Sequence, residues 1–429
     1  MKVNMIAIGG QGDVRPYMAF GVRLQQMGHT VKIATHSEFE AHVRDLGLGF
    51  LEVGGSPRAM LESEAGQRWL ETGSNVFAHM RWSSEAVRPL LEDRARDITK
   101  ACLGTEAIIY SPMAYPAAHL AERMGIPCFA ADPVPQYRTR YFPSPVFGGG
   151  RSLSWPVNWL SHALIDQYWW QKMRRSVNEW RQEALDLPAI GLLGPTFRRD
   201  RHIPMLLCYS PLISPVPRDW PAWHHVTGTW FFDLPTDVEQ PRDIVDFLAA
   251  GPPPVFVGFG SMVARDAERL TDLVVKALRL AGKRGIIQSG WSGLGERIDG
   301  ADILAIRSAE HNWLFPQVAA VIHHGGSGTT AAGLRAGVPS IVTPFFADQP
   351  FWARRVYALG AGPAPIPHKK LTAERLAAAI KRATEDERIK TRAAALGAAL
   401  RAEDGVGNAA AIFESYIEKW SRSPVGSTI

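Results

Sequence analysis

Short apolar runs rich in β-branched residues recur along the chain. Each is followed by a glycine-containing turn and then by a stretch whose apolar positions return every three or four residues. The first is residues 3–8, leading through Gly9-Gly10-Gln11-Gly12 into an amphipathic stretch over about 16–27. That order reads as strand, loop and helix. Gly28-His29 closes the helix, and residues 30–35 predict a second strand. The alternation returns with strands at 106–111 and 126–130 around a helix at 117–124, which predicts a parallel sheet flanked by helices.

Residues 132–200 break the rhythm with prolines, the run Gly148-Gly149-Gly150 and a Trp-rich basic helical region, read as an insertion over one edge of the domain. Prolines crowd the segment around 210–241, where periodicity fades, so a linker is expected there. Strand patterns resume at 254–260, 284–289, 303–306, 318–323 and 339–343, and an Ala-rich helical stretch runs from Leu371 to about Trp420. The expected class is α/β, with two doubly wound Rossmann-like domains: residues 1–210 first, a linker over 211–240, and residues 241–405 second. Ligands of open α/β sheets bind beyond the carboxyl ends of the strands, so two such domains facing each other would form a cleft.

Composition narrows the class without deciding it. The 429 residues, 46% hydrophobic and 21% charged, are long enough for two globular domains. Cys102, Cys128 and Cys208 match neither a disulfide framework nor a zinc pattern. The opening residues lack the apolar run and cleavage site of a signal peptide, and a cytoplasmic setting is expected. No apolar stretch reaches the length of a membrane span. Net charge is +5; residues 151–201 hold eight Lys/Arg against five Asp/Glu, a bias suited to an anionic ligand or membrane surface, or simply to a solvated face. No nucleic-acid-binding pattern is present.

The segment richest in chemistry is His323-His324-Gly325-Gly326-Ser327-Gly328-Thr329-Thr330, between a strand and a helix. Glycines there let backbone N–H groups approach an anion, and a helix start adds roughly half a positive charge. A diphosphate fits, with hydroxyls at Ser327 and Thr329 and a histidine beside the phosphates to stabilise a leaving group; a tight packing turn is the architectural alternative. Asp348 and Gln349, in Pro344-Phe345-Phe346-Ala347-Asp348-Gln349-Pro350, offer a carboxylate and an amide to sugar hydroxyls, or Asp348 is an N-cap. Ser261 and Trp291 lie at two other strand ends, for a phosphate and a base, or Trp291 simply packs at the domain surface. Asp13 sits at the first strand-to-helix turn, either as a general base or as an N-cap three residues before Pro16. Arg15 stands where a dinucleotide fingerprint needs its third glycine. No Asp-x-Asp pair occurs, so no metal is expected on the diphosphate. Phe142, Trp155, Trp159, Tyr168 and Trp169 concentrate aromatic surface suited to a flat apolar acceptor, or a packed helical core. Arg174, Arg175 and Arg181, interleaved with the tryptophans, would also permit peripheral contact with a bilayer.

With these residues in view, the chain resembles the nucleotide-sugar-dependent family 1 glycosyltransferases of GT-B fold, and among them the sterol glucosyltransferase and bacterial antibiotic glycosyltransferase branch. Gly12-Asp13-Val14-Arg15-Pro16-Tyr17 looks like the branch's N-terminal signature. Residues 321–330, Gly337-Val338-Pro339 and Asp348-Gln349 look like its donor signature. The resemblance implies inverting, metal-independent transfer of a sugar, by preference glucose from UDP-glucose and otherwise a TDP-sugar, onto a hydroxyl of a sterol, triterpenoid or polyketide. The nucleotide sugar is a co-substrate, and no cofactor is implied. Asp13 would be the base; His323, His324, Gly325, Gly326, Ser327, Gly328 and Thr329 would hold the diphosphate; Asp348 and Gln349 would hold the sugar. In plant relatives a histidine stands at the Asp13 position, and the aspartate that orients it falls here on Ser111. A C-terminal helix over 406–429 would cross back onto the first domain. A sugar-nucleotide epimerase of the same fold and a silent nucleotide-binding protein at a membrane surface are the alternatives; donor conversion without acceptor, or binding without turnover, would separate them.

Overall fold

The computed structural model describes residues 1–72, 75–87, 91–147, 153–195, 202–232, 240–260, 267–290, 294 and 300–422. The first sheet comprises β1 Lys2–Ile6, β2 Thr30–Thr35, β3 Gly49–Glu52, β4 Ala107–Tyr110, β5 Cys128–Asp132, β6 Met205–Leu207 and β7 His224–Val226. Their order is β3-β2-β1-β4-β5-β6-β7. The second comprises β8 Val255–Gly258, β9 Gly285–Gln288, β10 Ile303–Ile306, β11 Ala320–His323 and β12 Ser340–Val342, in the order β10-β9-β8-β11-β12. Neighbouring strands are parallel in both. The central strands β4 and β8 are buried along their whole length, because helices cover both faces and leave no polar side to the pattern.

In both sheets the chain order reverses at the same place: between β1 and β4 in the first, and between β8 and β11 in the second. Crevices for ligands open at such points, beyond the carboxyl ends. The loop carrying Asp13 follows β1, and the loop carrying His324 follows β11, so topology alone puts both motifs at the switch points.

Three expectations need correction. The first helix is Gln11–Gln26, with Gly10 as N-cap and Pro16 inside it. Proline normally marks a first turn, where its missing N–H costs nothing; here it removes the N–H that would reach the Gly12 carbonyl. Asp13 is therefore not an N-cap but the third helical residue. The segment 211–240 is not wholly a linker, because β7 lies in it and pairs in register with β6. Three residues at a sheet edge are too few to show a period of two.

The helix Gly405–Arg422 lies against the first domain. Ala409, Ala410 and Phe413 are buried in one apolar cluster with Phe20, Leu24 and Phe129. The Phe413 ring is 5.0 Å from that of Phe129, and His29 meets Glu414 at 2.5 Å. The insertion carries the long helix Trp155–Glu183, whose polar side chains grip the loop that leaves β5. Asn158 donates to the Arg140 carbonyl at 2.9 Å, the Ser161 hydroxyl accepts from the Ser144 N–H at 2.8 Å, and Arg138 pairs with Asp166 at 2.8 Å. The far end is anchored by Arg181, fully buried, which donates to Glu122 at 2.8 Å and to His119 at 2.9 Å.

Candidate functional site

The loop after β11 has the geometry that an anion-binding turn needs. Gly325 has φ +94°, and a Cβ there would lie 2.8 Å from Val342 Cγ1 and 3.1 Å from the Gln349 carbonyl, so no other residue fits. The helix Ser327–Ala336 starts directly after it with Gly326 as N-cap and no side-chain cap. Its first N–H groups have no acceptor within the helix, and residues 326–329 keep accessible surface. The His323 Nδ1 accepts the Gly325 N–H at 3.1 Å, which places the proton of the neutral ring on Nε2. That Nε2 is buried without a partner, as is Nδ1 of His324. Unpartnered buried polar atoms are costly, and two in one loop point to a ligand that satisfies them. Burial, then the neighbouring histidines, hold His323 down to about 3, and burial holds His324 down to about 4. Both rings are neutral at pH 7, His323 as a donor at Nε2.

The other half of the site faces this loop. A Cβ on Gly328 would lie 4.0 Å from the Gly12 Cα and carbonyl oxygen, so the two switch-point loops approach each other across the cleft. The Asp13 carboxylate accepts the Gly10 N–H at 2.9 Å. Gly9, at φ +141°, leaves room for it: a Cβ there would sit 2.3 Å from Asp13 Oδ2. Asp13 is exposed at its surface, yet the protein packed around its carboxylate still strips the charge of part of its water. The resulting loss of hydration, against the Gly10 hydrogen bond and with the charge of Asp348 added, raises the carboxyl to about 6. Ser111 is no relay partner; its hydroxyl accepts the Ile8 N–H at 3.1 Å and ties β1 to β4.

Asp348 begins the helix Gln349–Ala358 and accepts from the Trp352 indole N–H at 2.7 Å. Burial raises it to about 6. Ala347 before it has φ +55°, a conformation that costs a non-glycine residue about 1–2 kcal/mol and that turns the Asp348 backbone. Gln349 departs from expectation. It is buried, and its side-chain carbonyl accepts the Phe345 and Phe346 N–H groups at 2.8 and 3.3 Å, so that oxygen braces the loop instead of meeting a ligand. Ser261 and Trp291 lie outside the described residues.

The sequence pattern missed Asp132, at the carboxyl end of β5. It is buried and accepts from the Val134 N–H at 2.9 Å, from Gln136 at 2.5 Å and from the Tyr137 hydroxyl at 3.3 Å. Burial, opposed by those bonds and assisted by the Asp348 charge, raises it to about 7. The Tyr17 hydroxyl, held up by burial, feels both Asp132 and Asp13, so the three groups share one face of the cleft. The available signal was position: an acidic residue ending a parallel strand points toward the ligand edge.

The five aromatics expected to meet an acceptor do not form one wall. Phe142 stands at the domain junction, 5.5 Å from Phe351 of the donor-side helix. Tyr168 donates to the Met80 carbonyl at 2.9 Å and its ring is 5.6 Å from that of Trp169. Trp155 and Trp159 are exposed, with Arg140 and Arg138 over their rings. Tryptophans occur all round this helix, and spacing does not say which face is covered. Arg181, expected with Arg174 and Arg175 at a bilayer, is instead the buried anchor.

Residues 3–143 match the glycosyltransferase family 28 N-terminal domain, and residues 306–406 match the C-terminal domain of erythromycin biosynthesis protein CIII-like proteins. A sterol 3-beta-glucosyltransferase of Cryptococcus neoformans is 37% identical over 432 residues, which cover 95% of this chain and 26% of the fungal one. The chain thus spans about a quarter of the length of such fungal relatives. The Arabidopsis thaliana sterol 3-beta-glucosyltransferase UGT80B1 is 34% identical over 429 residues, covering 97% of this chain and 68% of that one. Among solved structures, the glycotransferase of kitacinnamycin superposes with a TM-score of 0.67 at 19% identity, covering 96% of this chain and 98% of the other, a likeness of fold. Two facing Rossmann-like domains, motifs at both switch points and a plant relative matched over two thirds of its own length place the chain in the GT-B family 1 glycosyltransferases, in the branch that holds the sterol 3-beta-glucosyltransferases.

Proposed function

We propose that the chain moves glucose from UDP-glucose to a hydroxyl of a sterol or similar apolar acceptor, with inversion at the anomeric carbon and without a metal ion. The observation that carries this reading is the approach of the Gly12-Asp13 turn to Gly328, which sets a carboxylate opposite an anion-binding helix start. Asp13 takes the proton of the acceptor hydroxyl as its oxygen attacks the anomeric carbon. The bond from that carbon to the diphosphate breaks, and the leaving negative charge meets the first N–H groups of helix Ser327–Ala336 and the His323 Nε2–H. Asp348 accepts from the sugar hydroxyls. Glucose and UDP follow from the family's sterol branch. The free N–H groups of the helix start, with the N–H of the neutral His323 ring, supply the positive potential that a divalent ion supplies elsewhere.

The test is Asp13→Asn, assayed with UDP-glucose and a sterol. Turnover should fall by about 10²–10⁴-fold, the usual worth of a general base, while UDP affinity by calorimetry stays within about twofold, since the substitution lies in the opposite domain. Retained turnover would remove Asp13 from the chemistry and leave Asp132 as the base; a chelator that stopped turnover would overturn the metal-free reading.

A further inference from the structure

The two ends of helix Trp155–Glu183 differ in kind. Toward its C-terminus Trp170, Val177 and Arg181 are buried. In its first third Trp155 is 61% exposed, Leu160 50% and Leu164 52%, and Phe77 of the adjacent helix Val76–Val87 is 83% exposed. From Leu153 to Ile165 the chain holds no Asp, Glu, Lys or Arg. Beside this greasy end lies an apolar groove of about 540 Å³ between the two helices, lined by Phe77, Met80, Phe147, Leu164 and Tyr168. An open cluster of this size and composition marks an interaction surface.

Charge says what kind of partner covers it. Between Arg138 and Arg175 the sequence has six Lys/Arg against the single Asp166, and Asp166 is already paired with Arg138. That net +5 equals the charge of the entire chain. Arg140 lies over the Trp155 ring at 5.0 Å and Lys172 beside Tyr168 at 5.8 Å, so cations edge the apolar end. Tryptophan and leucine inserted at the level of headgroups, with Lys/Arg around them, is the arrangement by which a protein lies on an anionic bilayer. Among the described residues no helix is long and apolar enough to cross one. The loop that bears Phe142 is gripped by this same helix, so the patch is continuous with the edge of the cleft.

We infer that the first third of helix Trp155–Glu183, together with Phe77, docks on a membrane surface carrying anionic lipid and sets the cleft where an apolar acceptor can enter from the lipid. The entry half of this statement rests on the proposed function; the docking half does not.

The full chain is sedimented with sterol-free vesicles of phosphatidylcholine alone and of phosphatidylcholine with about 30 mol% phosphatidylserine, in about 0.05 M and about 0.5 M NaCl. Binding to the anionic vesicles should exceed binding to the neutral ones by about tenfold and weaken at high salt. The double variant Phe77→Glu, Leu160→Glu should lose vesicle binding while keeping wild-type turnover on a detergent-solubilised acceptor; both residues are exposed, and neither is assigned to acceptor, donor or chemistry. Absence of vesicle binding, or binding that the double variant retains, overturns the inference. A wild-type dimer that the double variant dissociates also overturns it, by making the patch a contact between copies. No turnover on any acceptor, with vesicle binding and its loss intact, would sink the proposed function and leave the docking surface standing.

Discussion

At the scale of single residues the cleft is defined by three carboxyls whose ionisation is disfavoured. Asp13 and Asp348 are held at about 6 and Asp132 at about 7, chiefly by lost hydration. A general base must be ionised, so turnover should fall as pH drops through the value of whichever group serves. With Asp13 in that role, the acid limb of kcat/KM lies near pH 6; a limb nearer 7 that survives Asp13→Asn would point to Asp132. The limb belongs to the coupled carboxyls and not to one of them alone, and this yields a second expectation. The Asp348 charge helps to raise Asp13, so Asp348→Asn should move the limb to lower pH while raising the KM for donor. Steady-state rates between pH 5 and 8, numbers bounded by about two units around these values, would check both. An unmoved limb would mean that the two carboxylates do not sense each other.

Among the elements, the helix Trp155–Glu183 shows best how position is held by a few polar contacts. Arg181 is enclosed with Glu122 and His119, and removing one member of a buried ion pair costs about 3–5 kcal/mol, because the other charge is left stranded. Arg181→Ala should lower the urea midpoint accordingly and leave UDP affinity intact, since the donor loop lies in the other domain; Glu122→Gln in the same chain should return part of the loss. An unchanged midpoint would show the anchor to be dispensable. How much of this was legible from residues follows from element length. The strands expected at 3–8, 30–35, 106–111, 126–130 and in the second domain all appear, because each is a short run of mainly apolar or β-branched residues between turn residues. β3, β6 and β7 escaped notice: they have three or four residues, and β3 and β7 are only partly buried. The donor loop was legible because its chemistry is contiguous, from His323 to Thr330. Asp132 was not, since its importance comes from the register of β5 beside β4 and β6, and the open face of helix Trp155–Glu183 was not, since tryptophans and leucines fall on several sides of it.

For the molecule as a whole, the two domains meet through aromatic contacts, Phe142 against Phe351 and Trp69 against Phe346, and through polar ones near the cleft. Arg15 of the first helix pairs with Glu310 of the second domain at 2.6 Å, and Arg355 donates to the Ile213 carbonyl at 2.7 Å. The exposed Arg15 pair adds little energy, so the stability of the assembly depends on what each domain buries, and this includes titratable groups of opposite behaviour. His36, His79, His224, His311, His323 and His324 are held at about 3 or 4, mainly by burial. Unfolding returns each to about 6.5; the stability they contribute is complete above that value and lost as pH falls toward 4. Asp13, Asp132, Asp166 and Asp348, raised to about 6 or 7, act in the opposite direction, with stability present below about 3.8 and lost as pH rises through 6–7. Near pH 5, unfolding binds about six protons on the histidines and releases about four from the carboxyls, so net uptake is about two and the melting temperature should decline on acidification. Three of the six histidines, His311, His323 and His324, cluster at the donor loop, where His311 lies close enough to affect His323. A bound diphosphate would favour their charged forms and raise their values in the folded state, so the ligand should offset part of that decline. The gain in melting temperature from a fixed concentration of UDP-glucose, measured without acceptor, should therefore grow as pH is lowered from about 7 to about 5. A gain that stays constant or shrinks would show that these imidazoles do not face the phosphates, and the charge would then rest on the helix start alone.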